Sequence, residues 1–164
     1  MVKKGVFPGT FDPITYGHID LIKRASRIFS EVIVAVADNT PKTTLFNLEE
    51  RLEMAKLAVK DVKNVKVEAF SGLMIDYVKK KKTNVIIRGL RMISDFEYEF
   101  QMALTNRKLS SSVETIFMMP NESYSYVSSK LLKEAAFLGA DLKAFIPQFI
   151  IKKIKVKIKE RLRT

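Results

Sequence analysis

The sequence predicts an α/β fold: a single Rossmann-like domain with a doubly wound, five-stranded parallel sheet, helices on both faces and a basic C-terminal helix. Three observations support this prediction. Short β-branched runs recur five times in the 164 residues, and helical patterns separate them. Such alternation is typical of βαβ units in a parallel sheet. With 47% hydrophobic residues, the chain can bury one substantial core.

Each predicted strand is a run rich in Val, Ile or other apolar residues. The five runs are 2–7, 32–37, 65–70, 85–87 and 115–119. The first run leads through Gly9 into a segment where Ile19, Ile22 and Ala25 recur at helical spacing. We therefore expect a strand, a tight turn and a helix at the start of the chain.

Two later helices carry start signals. Asn47 precedes Glu50, and Ser94 precedes Glu97, each at the three-residue spacing of a capping box. Each signal is followed by an apolar pattern at helical spacing. The two expected apolar faces are Leu48, Leu52, Ala55 and Val59, and then Phe96, Phe100, Ala103 and the aliphatic stem of Arg107.

The last segment predicts a helix over residues 147–164. Pro147 suits a first helical turn, and Ile150, Ile154 and Ile158 keep a four-residue spacing. Residues 154–159 also alternate with a period of two, so a strand is the alternative. Gly139 marks the C-terminal end of the preceding helix.

Composition and charge limit the classes of function. The chain has no cysteine, so it has neither a disulfide framework nor a thiolate metal site. Its longest apolar run is too short to span a bilayer, and no signal peptide is visible, so we expect a cytoplasmic protein. Of the net charge of +11, more than half lies in residues 152–163, with seven basic residues and one acidic residue. A basic module that binds RNA or an acidic surface through this tail is one alternative function.

The most informative segment runs from Gly9 to His18, with the sequence Gly-Thr-Phe-Asp-Pro-Ile-Thr-Tyr-Gly-His. It places the only histidine of the chain in the first turn of a helix, where free backbone N–H groups and the helix dipole stabilise a phosphate. An ordinary turn, with Asp12 binding local backbone and Pro13 fixing its own φ, is the alternative for the segment taken alone.

Phosphate-binding residue types also follow the other strands. Lys42 follows the second strand, residues 72–74 the third, 88–91 the fourth and 124–130 the fifth. Ligands of open α/β sheets bind beyond the carboxyl ends of the strands, so these loops are candidates for one site. Each residue also has a structural alternative, such as pairing of Arg88 and Arg91 with Asp95 or Glu99. No glycine-rich dinucleotide fingerprint or P-loop string occurs.

The segment 9–18 resembles the signature of the HxGH nucleotidyltransferase superfamily. Within it, the chain from about residue 2 to 144 is similar to the phosphopantetheine adenylyltransferases. Further matches are the strings 87–91, 95–99 and 127–129, with Lys133 and Glu134. Thr15, where related enzymes carry a first histidine, is typical of this family. Two departures are Tyr124, in place of a common Trp, and Lys130, in place of Ser or Thr.

The resemblance implies roles only at matching positions. For the acceptor 4′-phosphopantetheine these are Thr10, Lys42, Met74 and Arg88. For ATP they are Thr10, Phe11, Gly17, His18, Gly89, Leu90, Arg91, Glu99, Tyr124, Ser125, Tyr126, Val127, Ser128, Ser129 and Lys130. His18, helped by Thr10 and Lys42, is expected to stabilise the transition state. No metal cage of protein ligands is implied.

The resemblance also implies a wider setting. Residues 1–146 would form the nucleotidyltransferase domain and 147–164 a basic helical extension. The expected reaction gives dephospho-CoA and pyrophosphate in coenzyme A biosynthesis, with Mg²⁺ accompanying ATP, CoA as a candidate inhibitor and a homohexamer as the assembly. The nearest rival is a nucleotidyltransferase with another phosphorylated acceptor; Thr15 and the string 88–91 oppose it.

Overall fold

The computed structural model describes residues 4–38 and 43–161. Five parallel strands form one sheet in the order β3-β2-β1-β4-β5. The strands are β1 (Gly5–Gly9), β2 (Val32–Ala37), β3 (Val65–Phe70), β4 (Val85–Gly89) and β5 (Glu114–Met118). Because the strand order reverses between β1 and β4, ligands of such a sheet are expected at the carboxyl ends of these two strands.

Helices connect the strands and complete the predicted doubly wound α/β fold. They are α1 (Tyr16–Ile28), α2 (Leu48–Ala58), α3 (Met74–Lys80), α4 (Ile93–Leu109), α5 (Glu122–Ser125), α6 (Ser129–Phe137) and α7 (Gln148–Arg161). The helix predicted in the basic tail is thus confirmed as α7, and the strand alternative is wrong there. No helix among the described residues is both long and apolar enough to cross a membrane.

The start of the sheet differs from the prediction. β1 begins at Gly5 and continues through Pro8 to Gly9, whereas the apolar pattern places it at 2–7, partly outside the described residues. Pro8 has no N–H to donate, and it is tolerated because the register between β1 and β4 pairs Val6 with Ile86 and does not extend to Pro8. The Pro8 carbonyl accepts instead from the Arg88 side chain at 2.9 Å. A crevice can therefore open between the two strands beyond Val6.

One predicted capping box is confirmed and the other is wrong. The Asn47 side chain accepts from the backbone N–H of Glu50, and the Glu50 side chain accepts from that of Asn47, both at 2.9 Å. α4 instead begins at Ile93 after Met92, without a side-chain cap, so the box predicted at Ser94 is wrong. An acidic residue in the first turn, Asp95, favours this earlier start. Gly139, with φ of +83°, follows α6 as predicted.

Two buried clusters lie on opposite faces of the sheet. The larger packs alternate residues of β1, β2 and β4 against α1, α2, α6 and α7, and the smaller packs the intervening residues against α3. α7 contributes Ile150, Ile151 and Ile154 to the larger cluster, so this basic helix is docked on the core. Two of its lysines, Lys153 and Lys157, form ion pairs of 2.7 Å with Glu53 and Glu50 of α2, respectively.

Helix α4 is packed differently. None of its described side chains belongs to either buried cluster, although Glu99 is buried at 8% exposure. The predicted apolar residues Phe96 and Phe100 are 46% and 47% exposed and stack on each other with ring centroids 5.5 Å apart. The apolar pattern therefore forms a surface face rather than a core face within this chain.

Candidate active site

A cavity of about 560 Å³ lies where the carboxyl ends of β1 and β4 separate. This is the position where open α/β sheets bind ligands. Its walls come from the turn after β1, the first turn of α1, the end of β4, helix α4 and the start of α6. The predicted site residues that line it are Thr10, Phe11, Gly17, His18, Arg88, Gly89, Arg91, Glu99, Tyr124, Val127, Ser128, Ser129 and Lys130.

The turn after β1 is held by unusual backbone geometry. Phe11 adopts a φ of 50°, and the peptide bond between Asp12 and Pro13 is cis. A Cβ at Gly9 would lie 2.8 Å from the Phe11 ring, closer than real contacts allow. Glycine is therefore needed at position 9 for the ring to fold back, and the buried Phe11 ring then packs against His18 with a centroid separation of 5.2 Å.

The only histidine of the chain is fixed by the start of α1. Thr15 caps the helix: its side chain accepts from the backbone N–H of His18, and its backbone N–H donates to His18 Nδ1 at 3.0 Å. Because Nδ1 accepts that hydrogen bond, the ring proton of the neutral imidazole resides on Nε2. His18, which lines the cavity, can then offer an Nε2–H donor to a ligand.

Its surroundings favour the neutral ring. Burial, the positive charge of Arg91 and that of Arg88 together lower the pKa of His18 from 6.5 to about 4. At neutral pH the ring is therefore a hydrogen-bond donor without a formal charge. Such a group can stabilise developing negative charge without first being desolvated as a cation.

Each arginine of the cavity is held by a carboxylate of α4. Arg88 and Glu99 form a two-point ion pair, with Nε to Oε2 at 2.7 Å. Arg91 bonds Asp95 through Nε at 3.0 Å and donates from Nη1 to the Val127 carbonyl at 2.9 Å. The pairings that the sequence offers as structural alternatives therefore exist. They orient guanidinium groups that still face the cavity.

The opposite wall is the start of α6. Ser128 caps this helix by accepting from the Leu131 backbone N–H at 3.1 Å, and the Ser129 hydroxyl donates to the Pro13 carbonyl at 2.8 Å. Lys130 lies beside them on the cavity wall. The cavity is thus bounded by the N-termini of α1 and α6, whose helix dipoles favour an anion there, although the Tyr16 and His18 N–H groups of α1 and the Leu131 N–H group of α6 already have acceptors within the chain.

Five predicted site residues require separate mention. Lys42 lies outside the described residues. The other four, all described, are not among the residues that line the cavity: Met74, Leu90, Ser125 and Tyr126. Met74 packs on the smaller buried cluster, and the Leu90 backbone N–H donates to the Met118 carbonyl at 3.0 Å. Their ligand-binding roles remain predictions.

Sequence reasoning missed how three charged residues organise the site: it named Asp12 only as part of an ordinary turn and Lys133 only in a family match, and it did not single out Arg51. Arg51 of α2, only 3% exposed, donates to the carbonyls of Thr10 and Ala37, both at 2.8 Å, and so ties the ends of β1 and β2 together. The buried Asp12 and the partly exposed Lys133 form a second link, which joins the turn after β1 to α6. A charged residue on an otherwise apolar helix face was the available signal for Arg51. No sequence signal was available for the contact between Asp12 and Lys133, which are 121 residues apart in the chain.

Three comparisons bear on this site. The sequence profile of the cytidylyltransferase-like family matches residues 6–135. A phosphopantetheine adenylyltransferase of Dictyoglomus turgidum is 51% identical over 95% of this chain and 98% of its own length. One from Caldanaerobacter subterraneus subsp. tengcongensis is 50% identical over 97% and 99%, respectively. The solved Plasmodium falciparum nicotinic acid mononucleotide adenylyltransferase, complexed with NaAD, shares the fold, with a TM-score of 0.69 over 94% and 95% of the two chains at 15% identity.

Proposed function

The chain belongs to the cytidylyltransferase-like family and, within it, to the phosphopantetheine adenylyltransferases, and from this premise we propose how its cavity performs the transfer. The enzyme transfers AMP from ATP to 4′-phosphopantetheine. A phosphate oxygen of the acceptor attacks the α-phosphorus of ATP, and the bond from that phosphorus to the bridging oxygen of pyrophosphate breaks. The products are dephospho-CoA and pyrophosphate, a step of coenzyme A biosynthesis.

The observation that carries the mechanism is the buried His18 on the cavity wall, whose pKa is lowered by burial and by the charges of Arg91 and Arg88. The attacking phosphate is already an anion, so the reaction needs no general base. Catalysis must come from in-line positioning and from donors aimed at the developing charge. With Nδ1 bound to the Thr15 backbone, His18 Nε2–H is such a donor. We therefore assign His18 to transition-state stabilisation, with Thr10 and Lys42 as helpers.

The remaining assignments divide the cavity by substrate. Lys42 and Arg88 would bind the acceptor phosphate, with Thr10 beside it and Met74 along the pantetheine arm. Arg91 and the start of α6 would hold the phosphates of ATP, supported by two helix N-termini directed at the same space. Mg²⁺ would enter with ATP as part of that substrate, because it offsets the charge of two anions that must meet.

We also propose that the enzyme works as a cytoplasmic homohexamer. The support within this chain is α4, where Ile93, Phe96, Phe100 and Leu104 are exposed by 90%, 46%, 47% and 48%. An apolar helix face of this kind is typical of a surface covered by another chain. Inhibition by CoA, which shares the pantetheine arm of the acceptor, is part of the same proposal.

The direct test is a coupled assay of pyrophosphate release with MgATP and a panel of acceptors. We expect 4′-phosphopantetheine to be used and unphosphorylated pantetheine not to be, because charge-assisted contacts to the phosphate are lost. Preference for nicotinamide mononucleotide, nicotinic acid mononucleotide or a sugar phosphate would overturn the acceptor and favour the rival nucleotidyltransferase. His18→Ala is the internal control, expected to lower kcat by about 10²-fold with ATP affinity little changed.

A further inference from the structure

A buried carboxylate sits in the wall of a cavity that receives anions. Asp12 is only 4% exposed and lines the cavity. Its oxygens accept hydrogen bonds from the backbone N–H groups of Leu45, at 2.9 and 3.1 Å, and Phe46, at 2.9 Å. These contacts fix the segment before α2 against the turn after β1. Asp12 is therefore needed as an acceptor, although its charge repels a phosphate ligand.

One cation contacts this carboxylate in the described part of the chain. Lys133 of α6 donates from Nζ to Asp12 Oδ2 and also lines the cavity. It lies one helical turn after Ser129, whose hydroxyl holds the Pro13 carbonyl at 2.8 Å. The same face of α6 thus makes two contacts with adjacent residues of the turn. Asp12 also interacts electrostatically with Arg51, but Arg51 donates its hydrogen bonds to backbone carbonyls, so Lys133 supplies the positive charge that bonds this carboxylate directly.

The other carboxylates that line the cavity are also paired with cations. Among the described lining residues there are three carboxylates, and each is bound to a lining cation: Asp12 to Lys133, Asp95 to Arg91 and Glu99 to Arg88. The first pair differs in one respect. Asp95 and Glu99 orient arginines, whereas Asp12 supports backbone, so the function of its partner is to cancel its charge.

We propose that Lys133 is a positioning and charge-compensating residue of the nucleotide site. It allows Asp12 to hold the backbone of residues 45 and 46 against the turn after β1 without presenting an unpaired negative charge to the triphosphate in the cavity. This inference rests on the proposed function, since it concerns how ATP binds in the same cavity. Its effect passes through Asp12 and requires no contact between Lys133 and the ligand.

The test separates charge from structure with substitutions that keep hydrogen bonds. Lys133→Gln retains a donor for Asp12 but removes the charge, and we expect the KM and Kd for ATP to rise by about tenfold, the scale of one partly screened charge. Asp12→Asn in the same chain removes the acid and leaves an amide pair. The double variant D12N/K133Q is expected to bind ATP within about threefold of the parent.

The readouts are isothermal calorimetry with ATP and with inorganic pyrophosphate, steady-state KM and kcat, and the melting temperature. A matched control is the exposed pair of Lys153 and Glu53, joined at 2.7 Å away from the cavity. K153Q and E53Q/K153Q lose the same charges and are expected to leave ATP affinity unchanged.

Loss of ATP affinity in K133Q that D12N restores supports compensation. A double variant as weak as K133Q, or a K133Q with normal affinity, overturns it. If K133Q alone melts too low to assay, the double variant is compared with the parent instead. ATP affinity within about threefold of the parent then supports compensation, and weaker binding overturns it. A parent that binds ATP but does not use 4′-phosphopantetheine would refute the proposed acceptor and leave this binding test intact.

Discussion

The two halves of the sheet, which meet between β1 and β4, differ in how completely their helices pack on the core. On one side, β1, β2 and β3 carry α1, α2 and α7, which bury apolar residues in the larger cluster. On the other side, α4 connects β4 to β5, and its described side chains lie outside both clusters. One side folds as an ordinary core, and the other exposes an apolar helix that another chain can cover.

The cavity joins these two sides. His18 is held on α1 of the packed side, while Arg88 and Arg91 come from β4 and the segment before α4 and are oriented by Glu99 and Asp95 of α4. Burial is the main cause of the lowered pKa of His18, and the two arginine charges that add to it thus depend on a helix whose described side chains lie outside both buried clusters. Assembly through α4 would therefore support the site as well as cover apolar surface.

The largest expected effect concerns the half of the sheet formed by β1, β2 and β3, whose helices pack in the larger buried cluster. Ile154 is 1% exposed in the larger cluster, and Ile154→Ala is expected to lower the free energy of unfolding by about 2–5 kcal/mol. Phe100, at 47% exposure on α4, is the comparison. Phe100→Ala should cost no more than about 1 kcal/mol in a dissociated chain, because about half of its surface stays in contact with water there.

Urea unfolding at several protein concentrations distinguishes the two sides. The deficit of Ile154→Ala should not depend on concentration, whereas that of Phe100→Ala should grow as the chains assemble. Sedimentation at the same concentrations reports the assembly directly. Equal deficits at every concentration, with unchanged sedimentation, would remove α4 from the interface.

The next prediction concerns the cavity between the two halves of the sheet, where His18 should make the stability of the chain depend on pH. Burial and the charges of Arg91 and Arg88 lower the pKa of His18 to about 4 from 6.5. The unfolded chain therefore takes up the His18 proton at a higher pH than the folded chain does. The stability that the neutral ring contributes is present above pH 6.5 and is lost as the pH falls towards 4. The loss should reach about 3 kcal/mol by pH 4 relative to the nontitrating His18→Gln.

This pH prediction can be checked without ambiguity because the chain has one histidine. Imidazole ¹⁵N NMR should show the Nε2–H tautomer at neutral pH, with titration near pH 4. Urea unfolding of the parent and His18→Gln between pH 4 and 7.5 gives the difference in stability. A ring that titrates near 6.5 would show that neither burial nor the two arginines shift its pKa.

The sequence predicts those features of each half of the sheet that depend on interactions between residues close in sequence. It does not predict those that depend on residues far apart in sequence. The strand pattern, the Asn47 capping box and the α7 helix are local, and the sequence identified them. The predicted β1 ended too early because the apolar run stops at Phe7, whereas pairing with β2 carries the strand through Pro8 to Gly9. The α4 face was identified as apolar, but periodicity cannot tell a core from an interface. The link between Asp12 and Lys133 joins residues distant in sequence and has no local signature.

The smallest expected effect tests the helix starts of the two sides. α2 has a complete capping box, and Asn47→Ala should lower the free energy of unfolding by about 1 kcal/mol, because the Glu50 N–H loses its acceptor. α4 begins after Met92, whose extended backbone suits a capping residue but whose side chain makes no cap. Met92→Asn is therefore expected to stabilise the chain by about 0.5–1 kcal/mol. Paired urea titrations measure both changes. A destabilising Met92→Asn would mean that the exposed methionine contributes to assembly, so dissociated and assembled samples must be compared before α4 is described as merely uncapped.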